Sequence, residues 1–273
     1  MNQNRYAMTS TALAPAAGNV LLVGAGPGDP ELLTLKAVKA IAQATVLLVD
    51  DLVNDDVLTH AHANARIIHV GKRGGCTSTS QSLIEKLMIH EANKGERVVR
   101  LKGGDPFIFG RGGEEVQHLR AAGINVDVIN GVTAGLAAAT SLNIPLTHRD
   151  SAQGVLFITG HNKPGGEGSD WETIATCAFK AHLTLVIYMG VAGADSIMNG
   201  LLKGLPGHTP VAIVQNASLP GQRQAGCALS QLVATIKQHQ LASPSVMIVG
   251  DVASGLAAMT NTLSNEHPQG VAA

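Results

Sequence analysis

Residues 20–50 read VLLVGAGPGDPELLTLKAVKAIAQATVLLVD, and their order sets the fold class. VLLVGAG (20–26) is a short β-branched run closed by glycine, which predicts a strand. Asp29 can cap a helix and Pro30 can fill its first position, where the missing N–H costs nothing. One helix is therefore expected through LLTLKAVKAIAQA, followed by a second strand in VLLVD (46–50). Strand, helix and strand in this order signal a mostly parallel sheet covered by helices.

The same rhythm continues downstream. RIIHVG (66–71), VVRLKGGD (98–105) and VDVING (126–131) are expected strands. Between them, residues 80–93 place Leu83, Ile84, Leu87 and Met88 on one helical face before Gly95 stops the helix. The Ala-rich stretch 133–141 is expected as a buried helix. NIPLTHRD (143–150) interrupts the alternation, because proline disfavours helix in the residue before it. GVLFITGH then begins a new strand at Gly154, and LTLVIYMG (183–190), PVAIVQN (210–216) and PSVMIVGDV (244–252) continue an α/β pattern. The expected organisation is an extension over 1–18, an N-terminal α/β domain over 19–148, a C-terminal α/β domain over 151–258 and a tail over 260–273. Loop 162–170 and the tail are expected to be mobile. No internal repeat of fixed period is visible.

Composition narrows the function classes. With 45% hydrophobic and 14% charged residues, the 273-residue chain can bury two ordinary cores. Nineteen Lys plus Arg oppose twenty Asp plus Glu, so no global charge advertises nucleic acid or a membrane as partner, and any anion site must be local. Cys76, Cys177 and Cys227 are too scattered for a disulfide framework or a paired metal motif, which suits a reducing cytoplasm. No apolar run is long enough for a signal-peptide core or a membrane span.

GAGPGD (24–29) raises the question of a dinucleotide site. A Rossmann turn needs a third small residue where this chain has Asp29, and a carboxylate there opposes a pyrophosphate at the helix N-terminus. A sulfonium cofactor such as S-adenosylmethionine suits carbonyls and a carboxylate better, although an ordinary strand-to-helix turn explains the hexapeptide equally well. LKGGDPFIFGRGGEE (101–115) is less ordinary. Gly103 and Gly104 permit close backbone approach to a ligand, and Asp105 can accept from a ribose hydroxyl or an α-ammonium group.

GAGPGDPELLTLKA, VGKRGG, VVRLKGGDPFIFGRGGEE, GVTAGLAAA and IPLTHRD closely resemble the tetrapyrrole methylase family, in its branch acting on uroporphyrinogen III. The likeness spans about residues 19–255. It implies two αβα domains with mostly parallel or mixed sheets and an active-site cleft between them. It also implies a homodimeric enzyme that uses S-adenosyl-L-methionine, releases S-adenosyl-L-homocysteine, and makes precorrin-2 through precorrin-1 by two methyl transfers to pyrrole carbons C2 and C7. By the same resemblance Pro27, Gly103, Gly104, Asp105, Ile108, Thr133, Ala134 and Met189 line the cofactor pocket. Ala217 is a looser match, because the family usually reads NGT where this chain has Asn216, Ala217 and Ser218.

Methyl transfer to a ring carbon needs an aligned acceptor and a base for the departing proton. Asp50, at the carboxyl end of the second strand, stands where α/β sheets present such groups. The resemblance gives Asp50 the role of proton acceptor and Lys72 that of proton donor. The family commonly has Tyr, Asp and Arg where this chain has Val49, Asp50 and Asp51, so a second carboxylate adjoins the first. A polycarboxylate substrate also requires converging cations. Arg73, Arg111 and Arg149 in loops are the candidates, whereas Arg100 and Lys102 alternate on a strand and are expected to face solvent. His60 and His62 lack a third ligand, so no metal is assigned. His148 and His161 are expected to bond locally.

Three rival readings are a methylase of a later precorrin intermediate, an NAD-dependent oxidoreductase built on GAGPGD, and a silent tetrapyrrole carrier. The expected length leaves no room for a dehydrogenase and chelatase module, so those steps are expected from separate proteins.

Overall fold

The computed structural model describes residues 19–71, 79–161 and 168–254. The terminal segments, most of loop 162–170, Lys72, Arg73 and Cys76 therefore lie outside the described residues.

Five strands, β1 (Asn19–Gly24), β2 (Val46–Val49), β3 (Arg66–His69), β4 (Val98–Lys102) and β5 (Asn125–Ile129), form a wholly parallel sheet in the order β3-β2-β4-β1-β5. Successive strand residues alternate sides, so each face needs its own cover. Val23, Leu47, Val49, Val99 and Leu101 meet α1 (Leu35–Gln43) on one side. Val20, Leu22, Leu48 and Val98 meet α2 (Gln81–Asn93) and α3 (Gly112–Ala121) on the other, through Ile84, Met88 and Leu119.

After β5 the chain forms α4 (Ala134–Ser141) and enters a second sheet. Its strands are β6 (Gly154–Thr159), β7 (Leu183–Tyr188), β8 (Pro210–Gln215), β9 (Arg223–Ala228) and β10 (Ser245–Val249), in the order β6-β7-β10-β8-β9. Only β6 and β7 run parallel; β10 and β9 pair antiparallel with their neighbours. Helices α5 (Trp171–Lys180), α6 (Ala194–Leu201) and α7 (Leu232–Gln238) cover one face. The other face packs against Ala138 and Ala139 of α4.

Two local expectations change. The helix expected from Asp29 is broken in two: Asp29 caps only a 3-10 turn over Pro30–Leu32, and Thr34 caps α1 by accepting from the Ala37 N–H at 3.1 Å. Thr34 holds an extended backbone (φ −73°, ψ 147°), so the helix cannot run through it. Arg100 and Lys102 are 2% and 3% exposed rather than solvated. They share the parity of Val98, so they point toward α3, where the fully buried Glu115 receives them.

Candidate active site

Parallel strands present their carboxyl ends together, and ligands bind in the crevice outside them. Here the ends of β1, β2 and β4 face the end of β7 and the start of β10 across a cavity of about 690 Å³, a size suited to a small ligand. The two glycine turns meet at its edge. Gly104 N–H donates to the Gly26 carbonyl at 2.6 Å and Gly26 N–H to the Gly104 carbonyl at 3.2 Å. Both hold left-handed backbone, at φ 66° and 72°, which only glycine adopts without strain. A Cβ on Gly131 would fall 2.2 Å from the Gly104 carbonyl oxygen, so strand ends approach each other backbone to backbone.

Pro27, Gly103, Gly104, Ile108, Thr133, Ala134, Met189 and Ala217 all line this cavity. Asp105 does not. Its Oδ1 accepts from Phe107 N–H at 2.8 Å, and its Oδ2 accepts from Gly131 N–H at 3.1 Å and Asn130 Nδ2 at 3.3 Å. The carboxylate thus ties the GGDPF turn to the exit of β5. Asn54 Nδ2 likewise donates to the Gly28 carbonyl at 2.8 Å, and Ser218 Oγ accepts from Asp29 N–H at 3.1 Å, which fixes the first glycine turn.

Several wall residues escaped sequence reasoning. Tyr188 ends β7, and its hydroxyl lies 2.8 Å from both Thr133 Oγ1 and Gly135 N, accepting the latter's hydrogen. Burial pushes its phenol pKa up, so the ring stays neutral. Phe109 lies 4.9 Å away by ring centroids. Leu52, Val214 and Leu219 extend this apolar surface. Phe109, Met189 and Asn216 line the cavity with positive φ values of 51°, 55° and 53°. Such strain costs about 1–3 kcal/mol per residue and collects at ligand sites. The only available signal for Tyr188 was its place at the end of LTLVIY, next to Met189.

Asp50, Asp51 and Lys102 are the charged residues on the wall. Oδ1 of Asp50 accepts the Asp51 N–H at 3.0 Å, and Oδ2 lies 3.5 Å from Arg100 Nη2. Behind them Glu115 Oε1 lies 3.4 Å from Arg100 Nε and 3.2 Å from Lys102 Nζ, and accepts from Gln81 Nε2 at 2.8 Å. Burial lowers the Lys102 pKa, Arg100 lowers it further, and Glu115 opposes both.

The remaining candidates stand apart from the cavity wall. Arg111 is exposed and paired with Glu114 at 2.6 Å, and that hydrogen-bonded partner raises its pKa. Arg149 is also exposed, in the turn closed by the His148–Ala152 bridge. His62 Nδ1 accepts from Asn64 N–H, and His148 Nδ1 from Asp150 N–H. Among the described residues no group of three His, Cys, Asp or Glu could hold a metal, and no helix is long and apolar enough to cross a membrane.

Comparison with known proteins matches residues 19–233 to the tetrapyrrole (corrin/porphyrin) methylases. A uroporphyrinogen-III C-methyltransferase of Pseudomonas aeruginosa is 47% identical over 248 residues, which cover 90% of this chain and 99% of that one. A siroheme synthase of Zymomonas mobilis is 48% identical over 87% of this chain, but the match spans only 50% of the longer protein. A crystal structure of uroporphyrin-III C-methyltransferase from Thermus thermophilus complexed with S-adenosylhomocysteine aligns at TM-score 0.73 and 39% identity. It covers 86% of this chain and 93% of its own. The paired glycine turns and these matches agree: the chain belongs to the tetrapyrrole methylases.

Proposed function

We propose that the protein is an S-adenosylmethionine-dependent C-methyltransferase that converts uroporphyrinogen III to precorrin-2 through precorrin-1. The observation that carries this reading is the cavity built around the Gly26–Gly104 bridge. Its wall joins backbone carbonyls, apolar side chains and the two carboxylates of Asp50 and Asp51. Asp29 spends its side chain on the Glu31 N–H at 2.9 Å, and its charge disfavours a pyrophosphate beside that turn. A positively charged sulfur ligand fits this donor set better than a dinucleotide does. The cofactor of the Thermus relative supports the same choice.

S-adenosylmethionine supplies an electrophilic methyl group on a sulfonium. The chain's own groups do the rest. Gly103 and Gly104 allow the ligand to approach the backbone, and Met189, Ile108 and Ala217 shield it from water. Asp50 accepts the proton that leaves the ring system after the new carbon–carbon bond forms. Lys72 acts as proton donor, and Arg73, Arg111 and Arg149 hold substrate carboxylates. The same proposal includes a cytoplasmic homodimer, with oxidation and metal insertion performed by other proteins.

The test is anaerobic incubation with S-adenosylmethionine and uroporphyrinogen III, read by product mass. Stepwise gain of two methyl groups is expected. Intact S-adenosylhomocysteine binding with no methylated product would remove the reading.

A further inference from the structure

Asp50 and Asp51 are adjacent carboxylates on the cavity wall, and their surroundings separate them. Asp50 is held through both oxygens, by the Asp51 N–H at 3.0 Å and by Arg100 Nη2 at 3.5 Å. Asp51 forms no ion pair among the described residues. Arg100 itself has little freedom: it is 2% exposed, its Nη1 donates to the Leu101 carbonyl at 3.1 Å, and its Nε faces Glu115 at 3.4 Å. Glu115 is completely buried and is held in turn by Lys102 and Gln81. A guanidinium fixed on several sides has already lost its rotamer freedom in folding, so it can orient a half-exposed partner at little further entropic cost.

We propose that Arg100 is a positioning residue for methyl transfer: anchored by Glu115 beneath the cavity, it orients the Asp50 carboxylate toward the reacting ring and so gives the base role to Asp50 rather than Asp51. This inference rests on the C-methyltransferase reading above. Arg100 touches no ligand in this scheme and acts only through Asp50. The charged groups around it are Asp50, Glu115 and Lys102, so the cluster carries two positive and two negative charges.

The experiment compares Arg100→Lys, Glu115→Gln and Asp50→Asn, together with the two double variants that combine Asp50→Asn with each of the others. Turnover of uroporphyrinogen III, S-adenosylhomocysteine affinity and Tm are measured for all of them. Arg100→Lys keeps the charge but loses the planar fork; Glu115→Gln keeps the shape but loses the charge. Each is expected to lower kcat about tenfold or more, since small misplacements of a reacting group carry such penalties. S-adenosylhomocysteine affinity should stay within about twofold of the parent, because each variant perturbs a contact behind Asp50. In the Asp50→Asn background neither change should slow turnover further, because no carboxylate remains to be oriented. A purely structural role would instead lower both backgrounds alike.

Folded Arg100→Lys with parental kcat, or equal losses in the two backgrounds, overturns the inference and leaves the reaction intact. If Arg100→Lys does not fold, Glu115→Gln decides by the same comparison. Parental turnover in Asp50→Asn overturns the base assignment and this inference together. A parent protein that yields no methylated product ends both as well, on a separate readout.

Discussion

The parallel sheet and the mixed sheet treat buried polarity differently. Every buried charged residue among the described ones, namely Glu85, Glu91, Arg100, Lys102, Asp105 and Glu115, belongs to the half of the chain that builds the parallel sheet. The mixed sheet, its helices and its connections bury no charged residue among the described ones, only neutral groups such as the hydroxyls of Thr184, Tyr188, Thr209, Thr235 and Ser245. Both sheets supply walls to one cavity, yet only the parallel one brings ionised groups to it from behind. A buried ion cluster is expensive to desolvate and weak as a source of stability. Its place under Asp50 makes sense as a device for orienting charge, whereas Tyr188, Met189 and Val214 of the mixed sheet and its connections serve as a neutral surface.

The largest expected effect tests the charged side of that contrast. Glu115→Ala would strip the shared counter-ion from Arg100 and Lys102, and breaking a buried pair in this way costs about 3–5 kcal/mol. A urea midpoint close to the parent's would show that the cluster is solvated, and the distinction between the sheets would fall. Tyr188→Phe comes next. It leaves the Gly135 N–H and the Thr133 hydroxyl without their partner, at a cost of about 1–3 kcal/mol. Because Thr133 lines the cavity, S-adenosylhomocysteine should also bind more weakly. Unchanged Tm and affinity together would mean that water replaces the phenol.

The contrast between the sheets was only partly legible in the sequence. Apolar runs such as VLLV and LTLVIY announce strands because both faces are covered, and glycines that must meet backbone to backbone leave a visible trace in GAGPGD and KGGD. Most positions implied by resemblance for the cofactor share one wall for the same reason: they sit at strand ends. β9 was missed because RQAGCA has no β-branched residue and owes its strand form to pairing with β8. The break before α1 was missed because Thr34 competes with Asp29 as a cap. The burial of Arg100 and Lys102 was unreadable because it depends on Glu115, more than ten residues away on another element. Asp105 reads as a ligand group in sequence, but its acceptors are spent on amides of two loops.

A smaller effect separates ionic from apolar packing by pH. Arg66 bonds to Glu91, and this partner holds the Glu91 carboxyl below its ordinary value of 4.5. A lowered folded pKa contributes stability that is present above the unfolded value and is lost as pH falls through the folded one. The Tm of the parent should therefore exceed that of Glu91→Gln at neutral pH, and the two curves should converge below about pH 4.5, the usual glutamate range. A gap that persists unchanged into acid would assign the difference to packing. Since Arg66 is half-exposed, added salt should narrow the gap at neutral pH.

The smallest effect lies in the mixed sheet. Thr184 is 1% exposed on β7, and its Oγ1 has no hydrogen-bond partner among the described residues. An unsatisfied buried hydroxyl has already incurred its desolvation penalty with nothing in return, so removing it should not destabilise the fold. Thr184→Val keeps the branched shape that suits a strand. It is expected to leave stability unchanged or raise it by up to about 1 kcal/mol, with kcat at the parental value, because Thr184 is remote from the cavity wall. A loss above about 1 kcal/mol would reveal a polar partner for the hydroxyl, such as a buried water, of the size such a bond contributes. The mixed sheet would then join the parallel one in depending on buried polar bonds.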